Sequence, residues 1–241
     1  MKDTFEKIYI SFFNQKILTD EDTNDWDLID GKITYAKKSI TLKKYFDLTD
    51  LSIILYSYLL NHLTDKNAKN FLNHFSYAKI AKKLGIEKNA VYENMKRLKK
   101  AGLVYFTKEN NNKISNIDLT CIIPCNNNSY YEYEIKTSED VAKYFGVHGF
   151  IICPSRILEN KEITATEKIN YSSINSYNNL KRKNSSFKSS MAGFANFINR
   201  CRTSVIRVLK NLQEKGLIFL DTIKQGAFVN WHSNFFVLAL D

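Results

Sequence analysis

What the 241-residue sequence lacks already narrows its function. No apolar run approaches the roughly 18 to 20 residues needed to cross a bilayer, and the opening MKDTFEKIYISFF has no signal-peptide layout. A cytoplasmic protein with no membrane partner is expected. Cysteine is scarce: Cys121, Cys125, Cys153 and Cys201 include one close pair with no histidine beside it, so they form no metal set. Reduced, mostly buried thiols are expected instead. There is no Gly-x4-Gly-Lys-Ser/Thr loop to hold ATP phosphates. His62, His74, His148 and His232 are isolated, with no His-x-His pair beside a tyrosine nucleophile motif, which argues against a rolling-circle nickase. The acidic run from Asp20 to Asp30 reads as a solvated turn rather than as paired catalytic carboxylates. No enzyme, cofactor or metal is expected.

What is present is positive charge. The formal net charge is +10, with a pI near 9.2, which favours a polyanionic partner and above all nucleic acid. The charge is unevenly placed. Asp20, Glu21, Asp22, Asp25, Asp27 and Asp30 fall in the first 34 residues, whereas the basic residues concentrate further along. Hydrophobic residues at 44% and charged residues at 25% fit a soluble globular protein, long enough for two domains.

The basic regions are two copies of one pattern, AKIAKKLGIEKNAVYENMKRLKKAGLVYF from Ala78 to Phe106 and AGFANFINRCRTSVIRVLKNLQEKGLIFL from Ala192 to Leu220. They align without a gap. Ala81 matches Ala195, Leu84 matches Ile198, Val91 matches Val205, Leu98 matches Leu212 and Gly102 matches Gly216, at a constant offset of 114 (216 − 102). Each reads as helix, tight turn, helix, strand. Ser76 is placed to cap a helix that buries Ile80, Ala81 and Leu84 and ends at Gly85. Val91, Met95 and Leu98, at i, i+4 and i+7, predict the buried stripe of a second helix, stopped by Gly102. Val205, Leu209 and Leu212 repeat that stripe. This is a helix-turn-helix layout, and the following strand marks the winged variety.

Upstream of each copy lies a further helix. LTDLSIILYSYLLNHL from Leu48 is too apolar for a surface element and is capped by Thr49 or Asp50. Thr164, Ile169, Tyr171 and Ile174 match Thr49, Ile54, Tyr56 and Leu59 at an offset of 115 (164 − 49), so the repeat extends over three helices. TKENNNKIS is a polar turn between the strands Leu103 to Phe106 and Ile114 to Thr120, a wing with Lys108 and Lys113 at its tip. The second wing runs from Leu217 to Leu220, turns at Lys224 to Gly226 and returns through Trp231. LKRKNSSFKSS reads as a basic, serine-rich loop before the second motif.

KIYISFF and GKITYAKKSI read as amino-terminal strands, the second entered through the turn pair Asp30-Gly31, and the segment either wraps the first domain or serves as a dimerisation arm. Tyr130 to Ile135 alternates as a strand, and TSEDVAKYF reads as a short helix capped by Thr137 or Ser138. The run Ile122 to Ser129 combines proline with asparagines and reads as the linker. The expected fold is therefore α+β: two tandem winged-helix domains forming an internal pseudo-dimer, with residues 1–121 the first domain, 122–129 the linker and 130–241 the second.

The segment ICPSRILENKEITATEKINYSSINSY, with SSMAGFANFINRCRTSVIRVLKNLQEKGLI after it, resembles the helix-turn-helix domain of phage replisome organisers and Gram-positive plasmid replication initiators. The likeness rests on a proline-led strand, a first helix opening on Thr164 and Glu167-Lys168, and a recognition helix ending Leu-x-x-x-Gly-Leu-Ile. Thr49 to Phe106 shares it more loosely. The two-unit arrangement also resembles the tandem winged-helix initiators of iteron plasmids. That resemblance implies that both units contact origin DNA, with host replication proteins as further partners.

In such motifs the second helix enters the major groove, and base edges are read by its amino-terminal outward residues. The expected reading residues are Lys88, Asn89, Tyr92 and Lys96 in the first copy and Arg202, Thr203, Arg207 and Lys210 in the second. Arg207 suits guanine, Asn89 suits adenine, and the lysines suit phosphate. Lys108, Lys113 and Lys224 on the wings, with Lys181, Arg182, Lys183 and Lys188 in the loop, are expected on the backbone. Taken singly, a basic helix is more often just a solvated face. Two aligned basic copies, each followed by a wing, favour DNA contact. Ile206 is either a thymine-methyl contact or core. Tyr92, Tyr105, Phe219 and Trp231 are read as packing rather than single-strand stacking.

The leading function is a sequence-specific double-stranded-DNA-binding replication initiator of a plasmid or phage, acting as a pseudo-dimeric monomer or a homodimer. The closest alternative is a transcriptional regulator or transfer-origin accessory factor of a mobile element. An alternative of another class is a winged-helix protein-interaction module that docks an acidic partner.

Overall fold

The computed structural model describes residues 5–10, 12, 16–19, 26–29, 32–35, 38–62, 76–108, 114–124, 130–145, 149–180, 186–189, 191–225 and 230–237. It opens with β1 (Phe5–Tyr9), β2 (Lys16–Thr19), β3 (Trp26–Ile29), β4 (Lys32–Tyr35) and β5 (Lys38–Thr41). The short helix α1 (Leu42–Tyr45) follows, then α2 (Asp50–Asn61), α3 (Tyr77–Leu84) and α4 (Lys88–Lys100), then β6 (Val104–Lys108), β7 (Ile114–Pro124) and β8 (Tyr130–Ile135). The second part holds α5 (Ser138–Phe145), β9 (Phe150–Pro154), α6 (Ser155–Leu158), α7 (Ala165–Leu180), β10 (Ser186–Ser189), α8 (Met191–Phe197), α9 (Arg202–Glu214), β11 (Ile218–Gln225) and β12 (Asn230–Val237).

Helix α2 is the central post. Ile53, Ile54, Leu55, Tyr56, Leu59 and Leu60 are all buried, because strand β1 and helices α4, α5 and α7 cover it. A helix that is apolar all round has no other stable place, and each such side chain contributes roughly 1.5–3 kcal/mol by leaving water. Its start is set by a capping box: Thr49 Oγ1 accepts from Ser52 N at 3.0 Å and Ser52 Oγ accepts from Thr49 N at 3.3 Å. Thr164 and Glu167 repeat the device ahead of α7, with Thr164 N donating to Glu167 Oε2 at 2.8 Å. Tyr56 Oη donates to Thr120 O at 2.6 Å, which ties the post to β7.

Backbone geometry repeats along with the sequence. Gly85 and Asn199 both adopt left-handed φ, 60° and 48°, and so do Gly102 and Gly216, at 71° and 67°. At the first pair, Ile86 N donates to Ala81 O at 3.0 Å and Arg200 N to Ala195 O at 2.8 Å. At the second, Leu103 N donates to Leu98 O at 3.0 Å and Leu217 N to Leu212 O at 2.9 Å. These are the closing bonds of helix carboxy-termini. The same two turns are therefore built twice, 114 residues apart.

Among the described residues strand pairing is antiparallel throughout, and it departs from the expected division of the chain. The sequence pattern puts Ile122 to Ser129 in a linker, but Ile122, Ile123 and Pro124 are the last residues of β7. Pro124, which has no N–H to donate, ends the strand. The sequence pattern also starts the second domain at Tyr130, yet β8 pairs with β7 (Leu119↔Ile135 to Pro124↔Tyr130), giving a sheet in the order β6-β7-β8. Conversely β1, from the amino terminus, pairs with β9 (Phe5↔Pro154 to Tyr9↔Phe150). The amino-terminal segment thus binds both parts of the chain.

Other local differences are smaller. Trp26–Ile29, inside the expected acidic loop, is a strand paired with β4, and Ile29↔Lys32 leaves only Asp30 and Gly31 between them, as the Asp-Gly signal implies. The expected basic loop contains β10, which pairs with β12 in a sheet ordered β10-β12-β11. Lys224 lies within β11 rather than at a turn, because the pairing continues to Gln225↔Asn230.

Candidate nucleic-acid interface

The first reading motif is set up by local sequence. Ser76 Oγ accepts from Lys79 N at 3.2 Å and starts α3, while Gly85 ends it. Ile80, Leu84, Val91, Met95 and Leu98 are fully buried, so α4 is fixed on α2 and α3 by one apolar stripe. A polar anchor adds to that stripe. Asn94 Oδ1 accepts from Thr49 Oγ1 at 2.6 Å and Ser52 Oγ at 2.7 Å, and Asn94 Nδ2 donates to Ala90 O at 2.7 Å. Helix α4 is thereby bonded to the cap of the central post.

With that stripe buried, Lys88, Asn89, Glu93 and Lys96 are exposed and Tyr92 is half-buried. Tyr92 meets Tyr77 edge-on, with ring centroids 5.8 Å apart, and Lys96 Nζ lies 4.3 Å above its ring. Lys96 also pairs with Glu93 at 3.2 Å, and the hydrogen bond to Glu93 raises its pKa above the ordinary lysine value. Tyr77, Lys88, Asn89 and Tyr92 line a recess of about 240 Å³ at the amino-terminal end of α4. Three of the four expected reading residues therefore meet at one place, and Lys96 flanks them. Arg97, Lys99 and Lys100 fill the last turn of α4, where the helix dipole favours cations.

The second motif repeats this presentation with different side chains. Val205, Leu209 and Leu212 are fully buried, leaving Arg202, Thr203, Arg207 and Lys210 exposed. Ile206 is half-buried, so its face is shared between core and solvent. Cys201 stands at the helix start and is exposed, whereas Cys121 and Cys153 are buried. Its Sγ lies 3.0 Å from Ser204 Oγ, and that hydrogen bond lowers the thiol pKa. Lys215 is taken up structurally, donating to Glu167 Oε2 at 2.8 Å and Glu162 O at 2.7 Å.

The remaining expected contacts are placed less fully. Lys108 is the last residue of β6, next to a register irregularity. Lys188 lies in β10 opposite Asn234, and Lys224 lies in β11 opposite Trp231. Lys113, Lys181, Arg182 and Lys183 fall outside the described residues. Tyr105 and Phe219, equivalent positions in the two repeats, are exposed rather than packed. Sequence reasoning missed Asn94 altogether. An asparagine three residues after Val91, inside the apolar stripe, was the available signal.

Residues 47–104 match the helix-turn-helix domain family. The match spans α2, α3 and α4 and ends at the start of β6, so it covers the first motif together with the post on which it packs. It supports a helix-turn-helix DNA-binding domain, and with it DNA as a partner. Comparison with curated proteins gives no match. Among the described residues no helix is long and apolar enough to cross a membrane, and none form a group of three or more His, Cys, Asp or Glu suited to a metal.

Proposed function

We propose that the protein is a sequence-specific double-stranded-DNA-binding protein that reads two half-sites through tandem winged-helix units, held as an internal pseudo-dimer. Its role is to initiate replication of a plasmid or phage from repeats at the origin. It acts in the cytoplasm without catalysis of its own and works with host replication proteins. One observation carries the DNA-reading part: two helices, α4 and α9, are delivered by the same pair of backbone turns and each turns a basic face to solvent. Lys88, Asn89 and Tyr92 gather at the start of one, and Arg202, Thr203 and Arg207 lie along the first two turns of the other. The amino-terminal part of a recognition helix is the part that reaches base edges. The replication role rests on the likeness of the second repeat to replisome organisers and plasmid initiators.

The test is selection of binding sites from random duplex DNA by the purified protein, by Arg207→Ala and by Lys88→Ala with Asn89→Ala. A two-part motif, with each variant relaxing a different half, is the expected result. Location of that motif among repeats in an AT-rich origin supports initiation, and a site overlapping only a promoter assigns the protein to transcriptional control. If no motif is enriched even at low salt, where phosphate contacts are strongest, the DNA-reading proposal is wrong.

A further inference from the structure

We propose that a polar lock between the two repeats, centred on Asp50 and Lys168, fixes the separation and angle of the two reading helices and so makes half-site spacing a determinant of target choice. The proposal rests on the DNA-reading function above.

The lock is made where each motif is most sensitive. Asp50, the first residue of α2, is buried. One carboxylate oxygen accepts from the Arg200 guanidinium and the Lys43 ammonium, and the other accepts from Thr166 Oγ1 at 2.5 Å. Arg200 is the residue that closes the turn between α8 and α9, through its bond to Ala195 O. The first repeat therefore grips the second at the turn that aims α9, two residues before Arg202.

The second repeat grips the first in the same way. Lys168, in α7, is buried and its Nζ donates to Leu84 O at 2.6 Å. Leu84 is the last residue of α3, directly before the turn that aims α4. Burial lowers the Lys168 pKa to about 8. Gly85, in that same turn, lies so close to the second repeat that a Cβ there would fall 2.4 Å from Glu159 O. Lys83 and Glu159 close the exposed rim at 2.9 Å.

Apolar contact packs the repeats together but is non-directional. Buried charges are different, because moving them apart leaves an uncompensated charge or carbonyl in a dry site. Reciprocal contact is the signature of a two-fold arrangement, yet the lock residues are not themselves repeated: Ala165 occupies the place of Asp50 and Ile53 that of Lys168, at the offset of 115 (165 − 50). The two repeats therefore have one specified way of sitting on each other. Each base pair inserted between half-sites moves the second by about 3.4 Å and turns it by about 34°. A rigid pair of reading helices cannot follow both changes.

The experiment measures full-length protein binding to duplexes carrying the two selected half-sites, with the spacer changed one base pair at a time, alongside duplexes carrying a single half-site. Wild type, Asp50→Asn, Lys168→Met and Thr166→Val are compared. Wild type should favour one spacer by at least about tenfold, a difference of about 1.4 kcal/mol. The variants should bind single half-sites within about twofold of wild type, but with the spacer preference reduced to about threefold or less, near 0.65 kcal/mol. Thr166→Val removes one lock bond at nearly constant volume, so it reports even if a charge substitution does not fold. Folded variants that keep the wild-type spacer profile overturn the lock, and so does a wild type that binds both half-sites with no preferred spacer. If wild type binds no half-site at all, the DNA-reading function itself has failed and the lock falls with it.

Discussion

Replacing Gly85 with alanine separates two costs that the structure assigns to one residue. Gly85 has φ of 60°, and an L residue with a Cβ in the left-handed region is strained by roughly 1–2 kcal/mol. Its added Cβ would also lie 2.4 Å from Glu159 O and 2.8 Å from Asn160 C, both backbone atoms of the other repeat. Backbone cannot swing aside as a side-chain tip does, so overpacking of about 1–3 kcal/mol is added. Gly85→Ala should therefore destabilise by roughly 2–5 kcal/mol. Gly216 supplies the internal control. Its φ is 67° and nothing lies within 4 Å of an added Cβ, so Gly216→Ala should cost only the strain, about 1–2 kcal/mol. Urea titration followed by far-ultraviolet circular dichroism measures both. If the two substitutions cost the same, the close approach of the repeats at Glu159 is not present in solution. A larger loss for Gly216→Ala would contradict the reasoning outright.

Asn94→Ala removes three side-chain hydrogen bonds and leaves the Thr49 and Ser52 hydroxyls only each other, 2.8 Å apart, and the cap N–H groups, for which about 1–3 kcal/mol is expected in the same titration. Asn94→Val, which installs the residue type found at the equivalent Val208, tests how much of that loss is cavity rather than hydrogen bonding. Cys201 should react readily with a maleimide and be shielded by bound target duplex at least about tenfold, followed residue by residue by mass spectrometry. Cys121 and Cys153, buried and with thiols pushed up by burial to about 12 and about 11, should stay unmodified in either state. Burial raises the Asp50 carboxyl, but Arg200 and Lys43, with hydrogen bonds from Lys43 and Thr166, outweigh it and hold its pKa below the ordinary value. The stabilisation from a depressed carboxyl is complete above the unfolded pKa near 4 and is lost as pH falls through the folded pKa. Stability of wild type should therefore drop in acid more than that of Asp50→Asn, and parallel losses would remove Asp50 from the lock.

Local features were legible because their causes are local. Ser76, Gly85 and Gly102 act within one turn of the helices they bound, and the stripe of Val91, Met95 and Leu98 follows from helical period alone. The capping sites were narrowed to Thr49 or Asp50 and to Thr137 or Ser138 for the same reason, and the hydroxyls of Thr49 and Thr137 take the role. Pairing between distant strands was not. Nothing in FEKIY names FIICP as its partner, and the alternation of Tyr130 to Ile135 predicts a strand without saying which edge it joins. Lys168 shows the same limit in a side chain. Nothing within EKINYSS marks it as buried, and the carbonyl that receives it, that of Leu84, is 84 residues away.

Under the proposed function, the divergence of the exposed α4 and α9 faces sets how each half of the protein is held on DNA. Glu93 and Lys96 form an ion pair on α4, whereas the equivalent residues on α9, at the offset of 114 (207 − 93), are Arg207 and Lys210. An acid and a base have become two cations. For Lys96 to neutralise a phosphate it must give up Glu93, and the acid left behind repels the same backbone. Lys210 has an arginine, not an acid, at the corresponding position. Counterion release gives a slope of about 0.9 in log K against log salt for each phosphate neutralised. Lys210→Ala should therefore lower the measured slope by close to that amount, and Lys96→Ala by clearly less. Glu93→Ala should strengthen binding and restore the full slope contribution of Lys96. Fluorescence anisotropy on one duplex across a salt series reads all three. Equal slope changes for Lys96→Ala and Lys210→Ala would mean that the ion pair on α4 has no bearing on phosphate contact.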